Sequence, residues 1–154
     1  MTFEQLVDTY QHRIFGFALN LCGNPADAEE IAQEAFLRAH KALTGWDEER
    51  RQELQASAWL HRIALNVFRN RLRAHRDTVP LESVPEPSRN GHAETSELRA
   101  LVTALPRRYR EAVVLHHVQG FPYNEIANLL GRPEGTVKSD VHRGLALLRK
   151  EIES

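Results

Sequence analysis

The sequence predicts an all-α fold in two small helical domains joined by a flexible linker. Three observations carry this. Through residues 1–76, and again through 95–154, apolar residues recur at three- and four-residue steps, the period of a helix with one buried face. Neither stretch shows the apolar–polar alternation of a half-buried strand. Between them, residues 77–94 gather Pro80, Ser83, Pro85, Pro87, Ser88, Asn90 and Gly91 with few apolar side chains, which is linker chemistry.

Each element follows in order. The first helix is expected from Phe3 to Cys22. Gly23-Asn24-Pro25 ends it, because Pro cannot continue a helix and restricts the residue before it. A second helix is expected from about Ala26 to Leu43. Thr44-Gly45-Trp46-Asp47 then opens a charged stretch that reaches Gln55, and a third helix covers Ser57 to Arg76. Beyond the linker, Thr95 to Ala104 forms one helix and Pro106 to Gln119 the next, with Pro in its first turn. Gly120-Phe121-Pro122 is a turn. Tyr123 to Leu130 is a short helix, Gly131 to Gly135 a tight connection, and Thr136 to Ile152 the last helix.

The chain of 154 residues carries 20 Lys and Arg against 21 Asp and Glu. That balance hides segregation: residues 59–76 hold five Arg and no acid, while 77–94 hold four acids and one Arg. No apolar run is long enough to cross a membrane, so no membrane partner is expected. The N-terminal residues lack the basic and apolar regions of a secretory signal. Cys22 is the only cysteine, so no intrachain disulfide can form. These features fit a cytoplasmic protein. Cys22 is read either as a buried helix thiol or as a redox sensor. Eight His invite a metal reading, but no pair has the H-E-x-x-H or Cys-rich spacing of a zinc site, so no metal or cofactor is expected. No Gly-rich phosphate loop or nucleophile elbow points to an enzyme.

Three helix faces carry partner chemistry. The last two helices, joined by a Gly-containing turn, form a helix-turn-helix pattern. At 100° per residue, Val137, Val141, Gly144, Leu148 and Ile152 share an apolar side of the second helix. Lys138, Ser139, His142, Arg143, Arg149 and Lys150 lie opposite and offer donors to phosphates and base edges. Asp140 would repel phosphate there, although a carboxylate can accept from a cytosine amino group. On the third helix, Arg62, Asn66, Arg69, Arg73 and Arg76 form a stripe opposite Leu60, Ile63, Ala64 and Val67. Arg neutralises phosphate, and Asn pairs bidentately with adenine. A merely solvated face usually mixes charge signs, and this one does not. Trp59, at the start of that helix, is either a core residue or a base-stacking one. On the second helix, Asp27, Glu30, Gln33, Glu34 and Leu37 lie opposite Ala28, Ile31, Ala32, Ala35, Phe36 and Ala42. Acids at a helix N-terminus are stabilised by its dipole. Carboxylates around an exposed Leu equally suit a basic protein partner.

These pieces, in this order, resemble bacterial sigma factors of the extracytoplasmic-function (ECF) group. NPADAEEIAQEAFLRA (Asn24 to Ala39) resembles region two-two, which implies docking of Asp27, Glu30, Gln33, Glu34 and Leu37 on the β′ clamp helices of core RNA polymerase. WLHRIALNVFRNRLR (Trp59 to Arg73) resembles regions two-three and two-four. The resemblance gives Arg62, Asn66, Arg69, Asn70 and Arg73 to opening and reading the minus-ten element of promoter DNA. LPRRYREAVVLHHVQGFPYNEIANLLGRPEGTVKS (Leu105 to Ser139) resembles region four, which implies docking on the β flap and reading of the minus-thirty-five element by Lys138, Ser139, His142 and Arg143. Thr44–Gln55 falls where the family carries a base-capturing loop, here longer and more charged. Asp140 stands where the family commonly has Arg, which implies a different contact and a different promoter preference. Asn124 replaces a Ser or similar residue. The resemblance also implies an anti-sigma factor as a partner, and an acidic linker in the path of the nascent RNA. The rival reading is a helix-turn-helix regulator with an N-terminal sensing or dimerising domain, in which only 95–154 would bind DNA.

Overall fold

In a computed structural model, the described residues are 2–52, 54–78 and 93–153, and they form helices without strands. The order is α1 (Phe3–Cys22), α2 (Pro25–Thr44), α3 (Glu48–Gln52), α4 (Ala56–Thr78), α5 (Ala93–Ala104), α6 (Arg107–Val113), α7 (Tyr123–Leu130) and α8 (Glu134–Glu153). The chain divides into two compact units, one holding most of α1 with α2–α4 and the other holding α5–α8. The linker expected over 77–94 lies outside the described residues, apart from its ends.

The first unit starts on a capping box. The Thr2 N–H donates to Gln5 Oε1 at 2.9 Å, and the Gln5 N–H donates to Thr2 Oγ1 at 3.2 Å. Asn24 caps α2 by accepting from the Asp27 N–H at 3.1 Å, with Pro25 in the first turn. α2 packs along α4. Ile31, Ala35, Phe36 and Ala39 of α2 and Leu60, Ala64, Leu65, Val67 and Phe68 of α4 are buried, with Ile14 and Phe17 of α1. Ala42, expected on the buried side of α2, is only half-buried, whereas Ala39 and Leu43 are buried.

His61 sits inside this apolar layer, fully buried beside the Phe17 ring, and its Nδ1 lies 2.7 Å from the Ser57 carbonyl. Burial penalises the imidazolium, so its pKa falls from 6.5 to about 4. The unfolded chain therefore binds the proton first as the pH drops. This contribution to stability is complete above pH 6.5 and is lost between there and about 4, by about 3 kcal/mol in total. Urea unfolding across that range is expected to show a His61→Gln variant losing correspondingly less stability than the wild type.

The second unit is a three-helix core, α6 to α8, with α5 packed on α6 and α8. The helix expected from Pro106 to Gln119 is two pieces: α6 ends at Val113, and Val114–Val118 form a π turn whose Gln119 N–H reaches the Val114 carbonyl at 2.9 Å. Gly131 closes α7 in the left-handed conformation at φ +68°, and its N–H caps the Ala127 carbonyl at 2.9 Å. α8 crosses α6 at Gly144. A Cβ built there would stand 2.5 Å from Val113 Cγ2 and 3.3 Å from Tyr109 Cβ, so only Gly admits this approach. Ile152, expected on the buried side of α8, is 63 % exposed. The helix runs on past Leu148, its last buried residue.

Candidate functional site

Asp27, Glu29 and Glu30 of α2 are exposed and Glu34 is half-buried, and Leu37 stands among them with 62 % of its surface in solvent. They are not bare. Arg71 lies half a turn from Arg62 on α4 and so points away from the Arg stripe. It pairs with Glu30 and reaches Asp27 at 4.0 Å. Glu34 pairs with Arg38 at 2.8 Å, one turn along. Beside Leu37, an apolar groove between α1 and α2 is lined by Phe3, Val7, Phe15, Ala32 and Phe36, with Gln33 at its edge.

The stripe on α4 forms as the period predicts. Arg62, Asn66, Asn70 and Arg73 are exposed and Arg69 is half-buried, while Leu60, Ala64 and Val67 are buried behind them. At the head of the stripe Trp59 is half-buried and packs against Trp46, ring centroids 5.1 Å apart. The Arg50 guanidinium covers Trp46 at 4.1 Å. The charged stretch 44–55 contains the short helix α3, which the sequence reading missed. Asp47 caps it by accepting from the Arg50 N–H at 2.8 Å, and Arg51 Nε returns to the Leu43 carbonyl at 3.1 Å.

In the second unit, Lys138, Ser139, His142 and Arg143 are all exposed along the first half of α8. Val137, Val141 and Gly144 turn inward. The architecture is a helix-turn-helix with a polar, basic face in front. Among the described residues, no group of three or more His, Cys, Asp and Glu is placed to hold a metal ion.

Residues 6–78 match the family described as Sigma-70 region 2, and residues 95–148 that described as Sigma-70, region 4. Over 96 % of its length the chain is 33 % identical to the ECF RNA polymerase sigma factor SigE of Mycolicibacterium smegmatis, and it covers 60 % of that protein. It is 30 % identical to the ECF RNA polymerase sigma factor SigW of Bacillus subtilis, over 97 % of this chain and 88 % of that one. Among solved structures, the sigma factor RpoE of Bartonella quintana, in complex with the anti-sigma factor NepR, matches with a TM-score of 0.80 and 25 % identity, covering 98 % of this chain and 96 % of that one. The chain belongs to the ECF RNA polymerase sigma factors. It spans less than two thirds of its mycobacterial relative. The match to region 2 accounts for residues that the rival regulator reading leaves without a role.

One expectation for this sigma factor is corrected. Asp140 does not face outward: it is 2 % exposed and ion-paired. Arg108 Nε donates to both of its carboxylate oxygens at 3.1 Å, and Arg132 Nη1 donates to Oδ2 at 3.1 Å. Arg132 also reaches the fully buried Glu111 at 3.3 Å. The helical angle carried this signal. Asp140 lies about 40° from Gly144 and about 60° from Val137, within the apolar side. Cys22, at the last residue of α1, is half-buried rather than buried.

Proposed function

We propose that this sigma factor brings core RNA polymerase to its promoters with a division of labour among three helices. α2 docks on the β′ clamp helices through Asp27, Glu30, Gln33, Glu34 and Leu37. α4 reads and opens the minus-ten element through Arg62, Asn66, Arg69, Asn70 and Arg73. α8 reads the minus-thirty-five element through Lys138, Ser139, His142 and Arg143, and the same unit docks on the β flap. The domain limits that go with this are 1–76 and 95–154, with 77–94 between them. The observation that carries the reading is the exposure of two basic faces on two separate helix-built units whose other faces are core. Two weak modules joined by one chain gain affinity through effective concentration.

The role requires no chemistry of the chain's own and implies a cytoplasmic location beside the polymerase. Among the described residues, no helix is long and apolar enough to cross a membrane. With a net charge of −1, the free protein is expected to bind promoter DNA weakly at physiological salt. The Bartonella quintana relative is held by an anti-sigma factor, and a partner of that kind belongs to the proposal. The deciding experiment is reconstitution with core polymerase on genomic DNA, followed by sequencing of the transcripts. Initiation from a defined promoter class is the expected result, and unstimulated initiation overturns the reading.

The docking face has its own test. Leu37→Asp adds a like charge and removes the apolar anchor. It is expected to weaken core-polymerase binding about tenfold or more with unchanged thermal unfolding, since Leu37 is exposed. Fluorescence titration against core polymerase measures it.

A further inference from the structure

We infer that Arg108, on α6, is an additional phosphate-binding residue at the minus-thirty-five element, and that buried Asp140 is the residue that positions it. This rests on the proposed reading of α8. Asp140 lies on the recognition helix, next to Ser139 in the chain and between Arg143 and Gly144 on the helical wheel, and its carboxylate is buried. Arg108 comes from another helix to meet it, and only its Nε is engaged, at 3.1 Å from both oxygens. The Arg108 side chain is 55 % exposed, while that of its co-partner Arg132 is 16 % exposed and is taken up by Asp140, Glu111 and the Arg108 carbonyl. The two arginines therefore have different roles. Arg132 neutralises the buried acids. Arg108 is fixed at one edge of its guanidinium, and its four Nη hydrogens have no partner among the described residues.

Fixation matters because a free arginine gives up rotamer freedom when it grips a phosphate. A carboxylate on Nε removes part of that loss in advance. On the α8 wheel Asp140 lies about 60° from Arg143, so the Arg108 head group flanks the exposed face that carries Lys138, Ser139, His142 and Arg143. A second helix thus extends the basic face. A duplex lying along α8 would bring its backbone within reach, and a phosphate contact there would be indifferent to base sequence.

The test uses holoenzyme reconstituted from the full chain and core polymerase. Its substrates are a promoter fragment taken from its own transcripts and the same fragment with the minus-thirty-five hexamer scrambled. Arg108→Gln keeps a donor for Asp140 and loses the charge, and Asp140 keeps Arg132, so the fold is retained. It is expected to weaken both fragments about five- to tenfold and to reduce the slope of log affinity against log salt by about one. Arg108→Lys is expected to restore the slope. A wild-type slope in Arg108→Gln overturns the proposal. In that event Lys138→Ala decides how far the failure reaches. Loss of affinity for the intact fragment leaves the reading of α8 standing, and unchanged affinity removes both.

Discussion

Arg62→Glu combined with Arg69→Glu is expected to abolish open-complex formation by the reconstituted holoenzyme while leaving its assembly with core polymerase intact. Exposed Arg62 and half-buried Arg69 lie on the α4 stripe, on the side away from the buried Leu60, Ala64 and Val67. Glu propagates a helix about as well as Arg. What changes is the sign of the charge offered to the DNA. A charge-assisted hydrogen bond contributes on the order of 1.5–3 kcal/mol, so losing two costs on the order of 100-fold or more before repulsion is added. Opening is hit hardest, because unstacking a base already costs a few kcal/mol that these contacts offset. Permanganate footprinting of unpaired thymines measures the opening, and gel filtration measures the assembly. Normal opening by the double variant would remove the minus-ten role from α4.

The second large effect concerns stability. Asp140→Ala is expected to destabilise the second unit by about 3–5 kcal/mol, since it removes one partner of a buried ion network and leaves Arg132 with Glu111 as its one remaining carboxylate beside the Arg108 carbonyl. A unit of this size has on the order of 3–9 kcal/mol in all, so a large share of molecules would have α6–α8 open. Hydrogen exchange of the α6–α8 amides should show this as lost protection. Asp140→Arg should be worse still, because it sets a third cation beside Arg108 and Arg132. Wild-type protection in either variant would show that the network contributes little.

Much of the fold was legible because periodicity reports burial directly. The break at Gly23-Asn24-Pro25 and the stripe on α4 are local chemistry that a sequence displays. The π turn at Val114–Val118 was not legible, because its apolar pattern suits an α-helix equally well. Nor was α3, five residues long and too short for any period; its shape depends on Asp47 capping it and on Arg51 reaching the Leu43 carbonyl. The shared side of the α2 acids follows from the helical period, but the pairing of Glu30 with Arg71, 41 positions away, is tertiary information. Asp140 is the instructive miss. Residue type suggested the surface and angle suggested the core, and the angle was right because two arginines compensate the burial.

The close crossing at Gly144 bounds how this protein could be retargeted. The proposed role of α8 invites its exchange as a cassette, to make a polymerase read new promoters. Here a Cβ at 144 would strike Val113, and an uncharged residue at 140 would take one of two buried carboxylates from Arg132. Val137 and Val141 are committed to the core. Positions 138, 139, 142 and 143, exposed along the first half of α8, carry no such constraint. A donor helix without an acid at 140 would need Arg108 and Arg132 exchanged with it.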